Sequence, residues 1–300
     1  MREAHGTRPF RFSVIMLGLS TGEAWRRSCR RAEELGYDTL HIADHLGMPA
    51  PFSALATAAE VTERMRLGTL VLNAAFWNPA LLAREVATCD QLTGGRLELG
   101  LGTGYIAAEH EAAGLPFGSP GARVDHLAHT VRELRRHLAD PEHAPRPVQE
   151  PVPLLLGGNG DRVLRLAAEY AEVAAFTGAR QVRGAPYGAL ELISPDALEE
   201  RVSHFRACAS SRSAPAELNM LVQRVAITED RASAAASWRA HAPALTEPEL
   251  LSHPALLAGT ASEIAAQLHE HRERFGFTYY SVLEGEMEGM GAVMRELRGA

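Results

Sequence analysis

Lysine is absent from this 300-residue chain, so all 30 of its basic residues are arginine. Without lysine, the chain can supply neither a Schiff-base amine nor the phosphate-binding lysine of a Walker motif. The 37 acidic residues outnumber the basic ones and give a net charge of −7. This balance lacks the basic footprint of proteins that bind nucleic acid, so we expect no nucleic-acid partner.

Cysteine is scarce, and long apolar runs are missing. The cysteines are Cys29, Cys89 and Cys208, and their separation shows no metal-ligand spacing. An odd number of scattered cysteines indicates a reduced, cytoplasmic protein. No apolar run approaches the roughly 20 residues that a membrane helix needs. Residues 1–8 are polar and lack the apolar core of a signal peptide.

Eight apolar segments recur along the chain, and helical segments separate nearly all of them. The predicted strands cover residues 10–17, 38–43, 67–73, 96–101, 152–156, 173–176, 219–228 and 278–283. This alternation predicts a parallel sheet, and eight units in about 300 residues favour a closed (β/α)8 TIM barrel in the α/β class. An open doubly wound sheet is the alternative. It would carry a glycine fingerprint at the first strand-to-helix turn, which residues 18–22 lack.

One domain is expected over residues 1–300, with residues 1–8 as a flexible arm. A long excursion that contains glycine follows the sixth strand, at residues 178–194. Loops of that length inside a compact domain usually have a function. We therefore predict an insertion that acts as a lid over the site.

The stretch 90–105 contains a helix end, a tight turn, one buried strand and a glycine-rich exit. Gly100, Gly102 and Gly104 stand at every second position. They could leave one side of the strand end bare, so that a flat ring or a phosphate lies against the backbone. The alternative is that small residues are needed where the barrel layers are tight. The motif alone favours this alternative.

The active site of such a barrel lies at the carboxyl ends of its strands. Asp44 and His45 end the second strand, and histidine exchanges a proton readily near neutral pH. His45 could instead be satisfied by loop backbone. Residues 157–160 precede a helix and form a candidate phosphate cradle, although a plain tight turn would also contain glycine. A metal-dependent hydrolase would usually show two histidines one residue apart after the first strand. This chain has no such pair, so we expect no metal.

Two longer stretches carry a family resemblance. Residues 78–85, continued by residues 90–104, resemble the bacterial-luciferase-like family of flavin- and deazaflavin-dependent oxidoreductases. The positions of Asp44 and His45 and of the 157–158 glycine pair fit this family. The run 109–117, followed by 120–125, is similar to the branch that uses the deazaflavin coenzyme F420.

The resemblance implies an oxidoreductase that transfers hydride between coenzyme F420 and a small organic substrate. His45 would be the catalytic acid, and Asp44 would orient its loop or raise the pKa of the imidazole. Relatives carry a cis peptide that supports the cofactor ring, and the match places it nearest Leu70–Val71. The residues expected to bind the cofactor are Leu70, Val71, Asn73, Thr103, Gly104, Tyr105, Gly157, Gly158, Asn159 and Gly160.

Three further expectations come with this resemblance. Some deazaflavin sugar-phosphate dehydrogenases carry a glutamate where this chain has Tyr105, which argues against a sugar-phosphate substrate. The alanine-rich segments 52–59 and 79–88 lie on the side through which family members pair, so we expect a homodimer. The alternatives are a monooxygenase of the same family that uses flavin mononucleotide (FMN), and a barrel that binds flavin or deazaflavin without catalysis.

Overall fold

The structure is a computed structural model that describes residues 8–182 and 190–299. Eight parallel strands form a closed barrel in which each strand pairs with its neighbours in chain order, and the third strand joins the second to the fourth. This confirms the predicted (β/α)8 class. The barrel strands are β1 (Arg11–Met16), β2 (Thr39–Ile42), β3 (Arg66–Thr69), β4 (Leu97–Gly102), β5 (Leu154–Gly157), β6 (Val173–Phe176), β7 (Glu217–Val222) and β8 (Tyr279–Leu283).

Helices surround the barrel, and their ends carry the expected caps. The Thr21 side chain accepts a hydrogen bond from the Ala24 amide at 3.1 Å, and Gly36 ends the same helix in the left-handed region with φ of 90°. No helix in the described ranges is both long and apolar enough to cross a membrane. The helices are α1 (Gly22–Leu35), α2 (Pro51–Ala59), α3 (Pro79–Leu92), α4 (Ala107–Ala112), α5 (Pro120–Ala139), α6 (Asp161–Tyr170), α7 (Pro195–Cys208), α8 (Arg231–Trp238), α9 (Glu247–Leu251), α10 (Ala261–Phe275) and α11 (Met287–Arg298).

Two predicted strands differ from the structure. The third is interrupted, because a cis peptide joins Leu70 to Val71 between β3 and the short strand Leu72–Asn73. The prediction of one continuous seventh strand is wrong. After β7 the chain turns outward, and Arg224–Ile227 pairs with Leu256–Gly259 outside the barrel. The turn occurs where two successive amides, of residues 223 and 224, donate to one carbonyl oxygen, that of residue 255.

The first and last parts of the excursion after β6 pair with each other as the two arms of an antiparallel hairpin. Ala179–Gln181 pairs with Leu190–Leu192, and residues 183–189 of the predicted lid lie outside the described residues. The predicted arm also lies outside them, apart from Arg8. The structure therefore describes the arms of the insertion.

Charged side chains fill the barrel interior near the amino ends of the strands. Arg11, the first residue of β1, contacts Glu98 of β4 at 3.0 Å and Glu217 of β7 at 2.5 Å. Their pairing meets the requirement that buried charges have partners. Because this end is closed by packed side chains, a ligand cavity must open at the carboxyl ends.

Candidate active site

A cavity of about 680 Å³ opens at the carboxyl ends of the barrel strands. Its volume lies within the range of about 300–1,000 Å³ that is usual for small-molecule and cofactor sites. The structure brings all of the predicted site residues to this cavity. They are Asp44, His45, Leu70, Val71, Asn73, Thr103, Gly104, Tyr105, Gly157, Gly158, Asn159 and Gly160.

The glycines that end β4 make room for protein, which supports the packing interpretation of the motif. A Cβ atom on Gly102 would lie 2.6 Å from Val71 Cγ2, and one on Gly157 would lie 3.2 Å from Val71 Cγ1. A Cβ atom on Gly100 would meet the backbone oxygen of Thr69 at 2.0 Å. These contacts favour the packing alternative for Gly100 and Gly102. Val71 and Gly102 both line the cavity, so contact of a ring with the strand exit stays a prediction.

The short strand after the cis peptide is held by the side chain of its own Asn73 and by Asp44 from the end of β2. Asn73 Oδ1 accepts a hydrogen bond from the Ala75 amide at 3.1 Å, and the Asn73 amide donates to Asp44 at 3.2 Å. Gly104 has φ of 65°, and its missing side chain would lie 2.2 Å from Asn73 Oδ1. The packing around Asn73 thus requires glycine at this point of the β4 exit.

His45 faces a carboxylate that comes from a different strand end. Its Nδ1 lies 2.9 Å from Oε1 and 3.1 Å from Oε2 of Glu109, in the first turn of α4. The Tyr105 ring stands edge-on to the imidazole, with 5.9 Å between the ring centroids. Burial, with a contribution from Glu109, raises the pKa of Tyr105. Since a carboxylate accepts, the contact puts the proton on Nδ1 and leaves Nε2 for a ligand.

Asp44 holds its own loop. It accepts hydrogen bonds from Trp77 Nε1 at 2.9 Å and from the Asn73 amide. Burial raises the pKa of Asp44, although both of these hydrogen bonds act in the opposite direction. Asp44 therefore matches the orienting half of its predicted role, while the carboxylate in hydrogen-bond contact with His45 is Glu109. Sequence reasoning missed Glu109 as a site residue, although it follows Tyr105 by four positions in the run that carries the F420-branch resemblance.

The glycine-rich loop after β5 leads into α6 with Gly160 at the N-cap position. Among the described residues, nothing lies within 4 Å of a Cβ atom built on Gly160, so these residues leave the helix terminus open on that side. Gly158 differs, because its φ is 148° and an added Cβ atom would lie 3.0 Å from Val163. The Asn159 side chain is engaged within the protein, donating to Thr177 Oγ1 at 2.8 Å and to the Ala179 carbonyl at 2.7 Å.

An arginine stands beside this open helix terminus. Arg201 of α7 lines the cavity and is hydrogen-bonded to Asp161, the first residue of α6. The pair offsets the negative charge of Asp161, which would otherwise repel a phosphate. Arg201 was not found by sequence reasoning, because the contact joins residues 40 positions apart.

The cavity fits a phosphorylated cofactor with a flat ring. Its lining combines the apolar surface of Leu70 and Val71 with the open α6 terminus, where backbone amides and the helix dipole attract phosphate. In the described ranges, no three His, Cys, Asp or Glu side chains are grouped to hold a metal. A parallel barrel with such a cavity at the carboxyl ends of its strands has the arrangement of a TIM-barrel enzyme, in which the active site lies at that end.

Sequence comparison identifies the family. Residues 16–279 match the luciferase-like monooxygenase family, and the chain belongs to it. An F420-dependent glucose-6-phosphate dehydrogenase from Intrasporangium calvum is 36% identical over 162 residues, which cover 46% of this chain and 48% of the relative. The oxygenase component of a flavin-dependent trigonelline monooxygenase from Acinetobacter baylyi is 31% identical over 42% of this chain and 39% of the relative. These alignments therefore span half or less of the relatives' length.

Solved structures share the fold across nearly the whole chain. An F420-dependent secondary alcohol dehydrogenase in complex with an F420–acetone adduct superimposes with a TM-score of 0.75 at 17% identity, covering 95% of this chain and 99% of the other. The long-chain alkane monooxygenase LadA gives a TM-score of 0.76 at 13% identity, covering 98% and 92%. At these identities the likeness concerns the fold.

Proposed function

We propose that this protein transfers a hydride between coenzyme F420 and a small organic substrate. The observation that carries the proposal is the His45–Glu109 pair at the rim of a cavity that also contains the open α6 terminus. The sequence similarity to F420-dependent dehydrogenases over 46% of the chain supports the choice of cofactor. When bound, F420 supplies the hydride chemistry, and the protein supplies position and electrostatics.

Each part of the cavity has a task in this proposal. The Gly160 backbone and Arg201 bind the cofactor phosphate, and Val71 supports the ring. The imidazolium form of His45 gives a proton from Nε2 to the substrate oxygen, and in the reverse direction the neutral imidazole accepts that proton at Nε2, while Glu109 accepts a hydrogen bond from Nδ1. Tyr105 walls the substrate space, and its presence where some deazaflavin sugar-phosphate dehydrogenases carry a glutamate argues against a sugar phosphate as substrate.

A monooxygenase that uses reduced FMN is the second candidate. The trigonelline monooxygenase relative, at 31% identity, favours it. The two candidates need the same phosphate cradle and ring support, so the cavity lining accommodates either. They differ in the reaction partner, which is an organic hydride acceptor or donor in one case and oxygen in the other.

Titration of the purified protein with each cofactor tests the proposal. Absorbance and fluorescence should change on addition of F420, with half-saturation at a lower concentration than for FMN. Preference for FMN together with oxygen consumption would establish the monooxygenase instead. Binding without turnover against a panel of carbonyl and alcohol compounds would indicate a barrel that does not catalyse.

The assembly and setting of the enzyme form part of the proposal. We expect a single catalytic domain in the cytoplasm that acts as a homodimer. The expected contact is through α2 and α3, where Leu81 is 52% exposed on the side carrying the alanine-rich segments. Light scattering at micromolar concentration should give twice the chain mass of 32.4 kDa, and Leu81→Asp should lower it. A wild-type protein that is monomeric under these conditions would contradict the proposed homodimer.

A further inference from the structure

Asn219 brings an unpartnered acceptor to the cavity. It lies in β7, lines the cavity and has no exposed surface. Its Oδ1 has no hydrogen-bond partner among the described residues. Buried polar groups are nearly always paired, and leaving one unpaired costs about 1–3 kcal/mol, so this oxygen calls for a donor.

The other end of the same amide belongs to a hydrogen-bonded chain inside the barrel. Asn219 Nδ2 donates to Ser281 Oγ at 2.8 Å, and Ser281 Oγ lies 2.6 Å from Ser13 Oγ. Ser13 Oγ lies 3.1 Å from Nδ1 of His41, whose Nε2 lies 3.4 Å from Glu98 Oε1. Four of these five side chains are fully buried, and Glu98 is 2% exposed.

The charge on Glu98 sets the direction of the chain. Burial opposes ionisation of this carboxyl, but the hydrogen bond from His41 and the charge of Arg11 outweigh it and hold the pKa of Glu98 well below its usual range. The Tyr279 hydroxyl also donates to Glu98 Oε1 at 2.9 Å. An ionised carboxylate only accepts, so His41 must carry a proton on Nε2.

The remaining hydrogen bonds are consistent with this arrangement. When the proton of the His41 imidazole is on Nε2, Nδ1 is an acceptor and the Ser13 hydroxyl donates to it. Ser281 then donates to Ser13, and the Asn219 NH₂ group donates to Ser281. In this arrangement the amide nitrogen faces the interior of the barrel and the free valence lies on the oxygen.

We propose that Asn219 Oδ1 accepts a hydrogen bond from the imide N–H of the cofactor ring. Deazaflavin and flavin rings both carry this donor on their planar edge, and Asn219 lies in the cavity that the ring would occupy. The serine–histidine–glutamate chain makes Asn219 a preset acceptor, so Ser281 is a positioning residue. The identity of the ligand rests on the proposed function, whereas the need for a donor rests on the hydrogen bonds alone.

The test compares a ring that has the donor with one that lacks it. Wild type, Asn219→Leu and Ser281→Ala are titrated with F420 and with F420 methylated at the imide nitrogen. Wild type should prefer the unmethylated ring, and Asn219→Leu should bind F420 about tenfold more weakly and lose the preference. Ser281→Ala should reduce the preference, because the amide is then free to turn.

Leu221→Ala is the matched control. Leu221 lines the cavity from the same strand two residues further on and has no polar side-chain atom. Its loss should weaken both ligands alike and leave their ratio unchanged. A preference that survives in both Asn219→Leu and Ser281→Ala would overturn the inference, and Ser281→Ala decides alone if Asn219→Leu does not fold.

The proposed function is judged separately, by the wild type alone. If wild type binds FMN instead of F420, the same comparison is made with FMN and its imide-methylated form. If wild type binds neither cofactor, both the function and this inference are overturned. A wild type that binds without preference overturns the inference and leaves the function standing.

Discussion

Gly102 has no side chain because Val71 occupies its place. The Val71 Cγ2 atom would lie 2.6 Å from a Cβ atom on Gly102, and the same side chain reaches toward Gly157 on the next strand. The cis peptide between Leu70 and Val71 immediately precedes this contact. The glycines at the ends of β4 and β5 therefore leave room for the Val71 side chain, which lines the cavity beside them.

Gly102→Ala should destabilise the protein. Overpacking of a filled core costs about 1–3 kcal/mol, and here the added methyl group meets Val71. The free energy of unfolding in urea measures the cost. Gly18→Ala is the control, because none of the residues that the structure describes lies within 4 Å of its added Cβ atom. Equal stabilities of the two variants would contradict the packing explanation.

Replacement of His45 should separate catalysis from packing. If His45 is the acid, His45→Ala should lower turnover at least tenfold, with little change in F420 affinity and loss of one limb of the pH profile. General acid catalysis is worth about 100- to 10,000-fold, so the effect is measurable by steady-state kinetics. Weaker F420 binding with an unchanged pH profile would show that His45 only packs against the ring.

Glu109→Gln examines the partner of His45 while keeping its shape. An amide keeps an acceptor for Nδ1 but removes the negative charge from the contact. We expect turnover to fall, with F420 affinity retained. Turnover equal to that of wild type would mean that the 2.9 Å contact with Glu109 does not contribute to catalysis.

The phosphate cradle is better tested at Gly160 than at Gly158. Sequence alone suggests Gly158→Val, with a loss of affinity far greater than any loss of stability. In the structure, Gly158 has φ of 148° and faces Val163, so its replacement should also destabilise the fold. Gly160→Val has open space, and it should weaken F420 binding while the melting temperature stays close to that of wild type. Unchanged binding by Gly160→Val would place the phosphate elsewhere.

The hairpin after β6 should become protected when cofactor binds. Ala179, Gln181, Leu190 and Ile193 line the cavity, so a ligand there contacts both arms of the hairpin. Hydrogen exchange measured by mass spectrometry should slow in peptides that cover residues 178–182 and 190–194 on addition of F420. Equal exchange rates with and without F420 would contradict the predicted lid.

Two buried histidines should make the fold sensitive to acid. Burial lowers the pKa of His253 to about 3 and that of His271 to about 4. Unfolding exposes both groups, which then bind protons near the usual pKa of about 6.5, so stability should fall as the pH drops from 6.5 toward 4. His271→Leu should remove about 2 kcal/mol of the loss between pH 7 and pH 4.5. Urea unfolding at both pH values measures this, with the exposed His269→Leu as a control that should keep the wild-type slope.

The barrel could be predicted from the sequence because each of its strands and helices is marked by a pattern of neighbouring residues. The alternation of apolar segments with helical segments located all eight barrel strands. The seventh strand was misjudged because residues 219–228 are uniformly suited to a strand. The barrel strand ends where the amides of residues 223 and 224 donate to the carbonyl oxygen of residue 255, and no local sequence pattern reveals this contact.

In the candidate site as well, features set by local sequence were predicted and features set by long-range contacts were missed. Strand ends can be read from sequence, so Asp44, His45 and the 157–160 loop were placed at the cavity. Glu109 and Arg201 were missed because their roles come from contacts 64 and 40 residues away. Asn219 had a weak signal, since it is a polar residue among apolar neighbours in a strand, and its direction depends on four other side chains.

The charged layer inside the barrel determines how the cavity can change with its ligand. Because Arg11 forms ion pairs with Glu98 and Glu217 at the amino ends of the strands, the cavity cannot deepen in that direction to admit a longer molecule. Extra length must be accommodated at the mouth, among the loops and the hairpin arms. Among proteins that keep these three charged residues, differences in substrate size should therefore be accompanied by differences in the loop sequences and not in the charged layer.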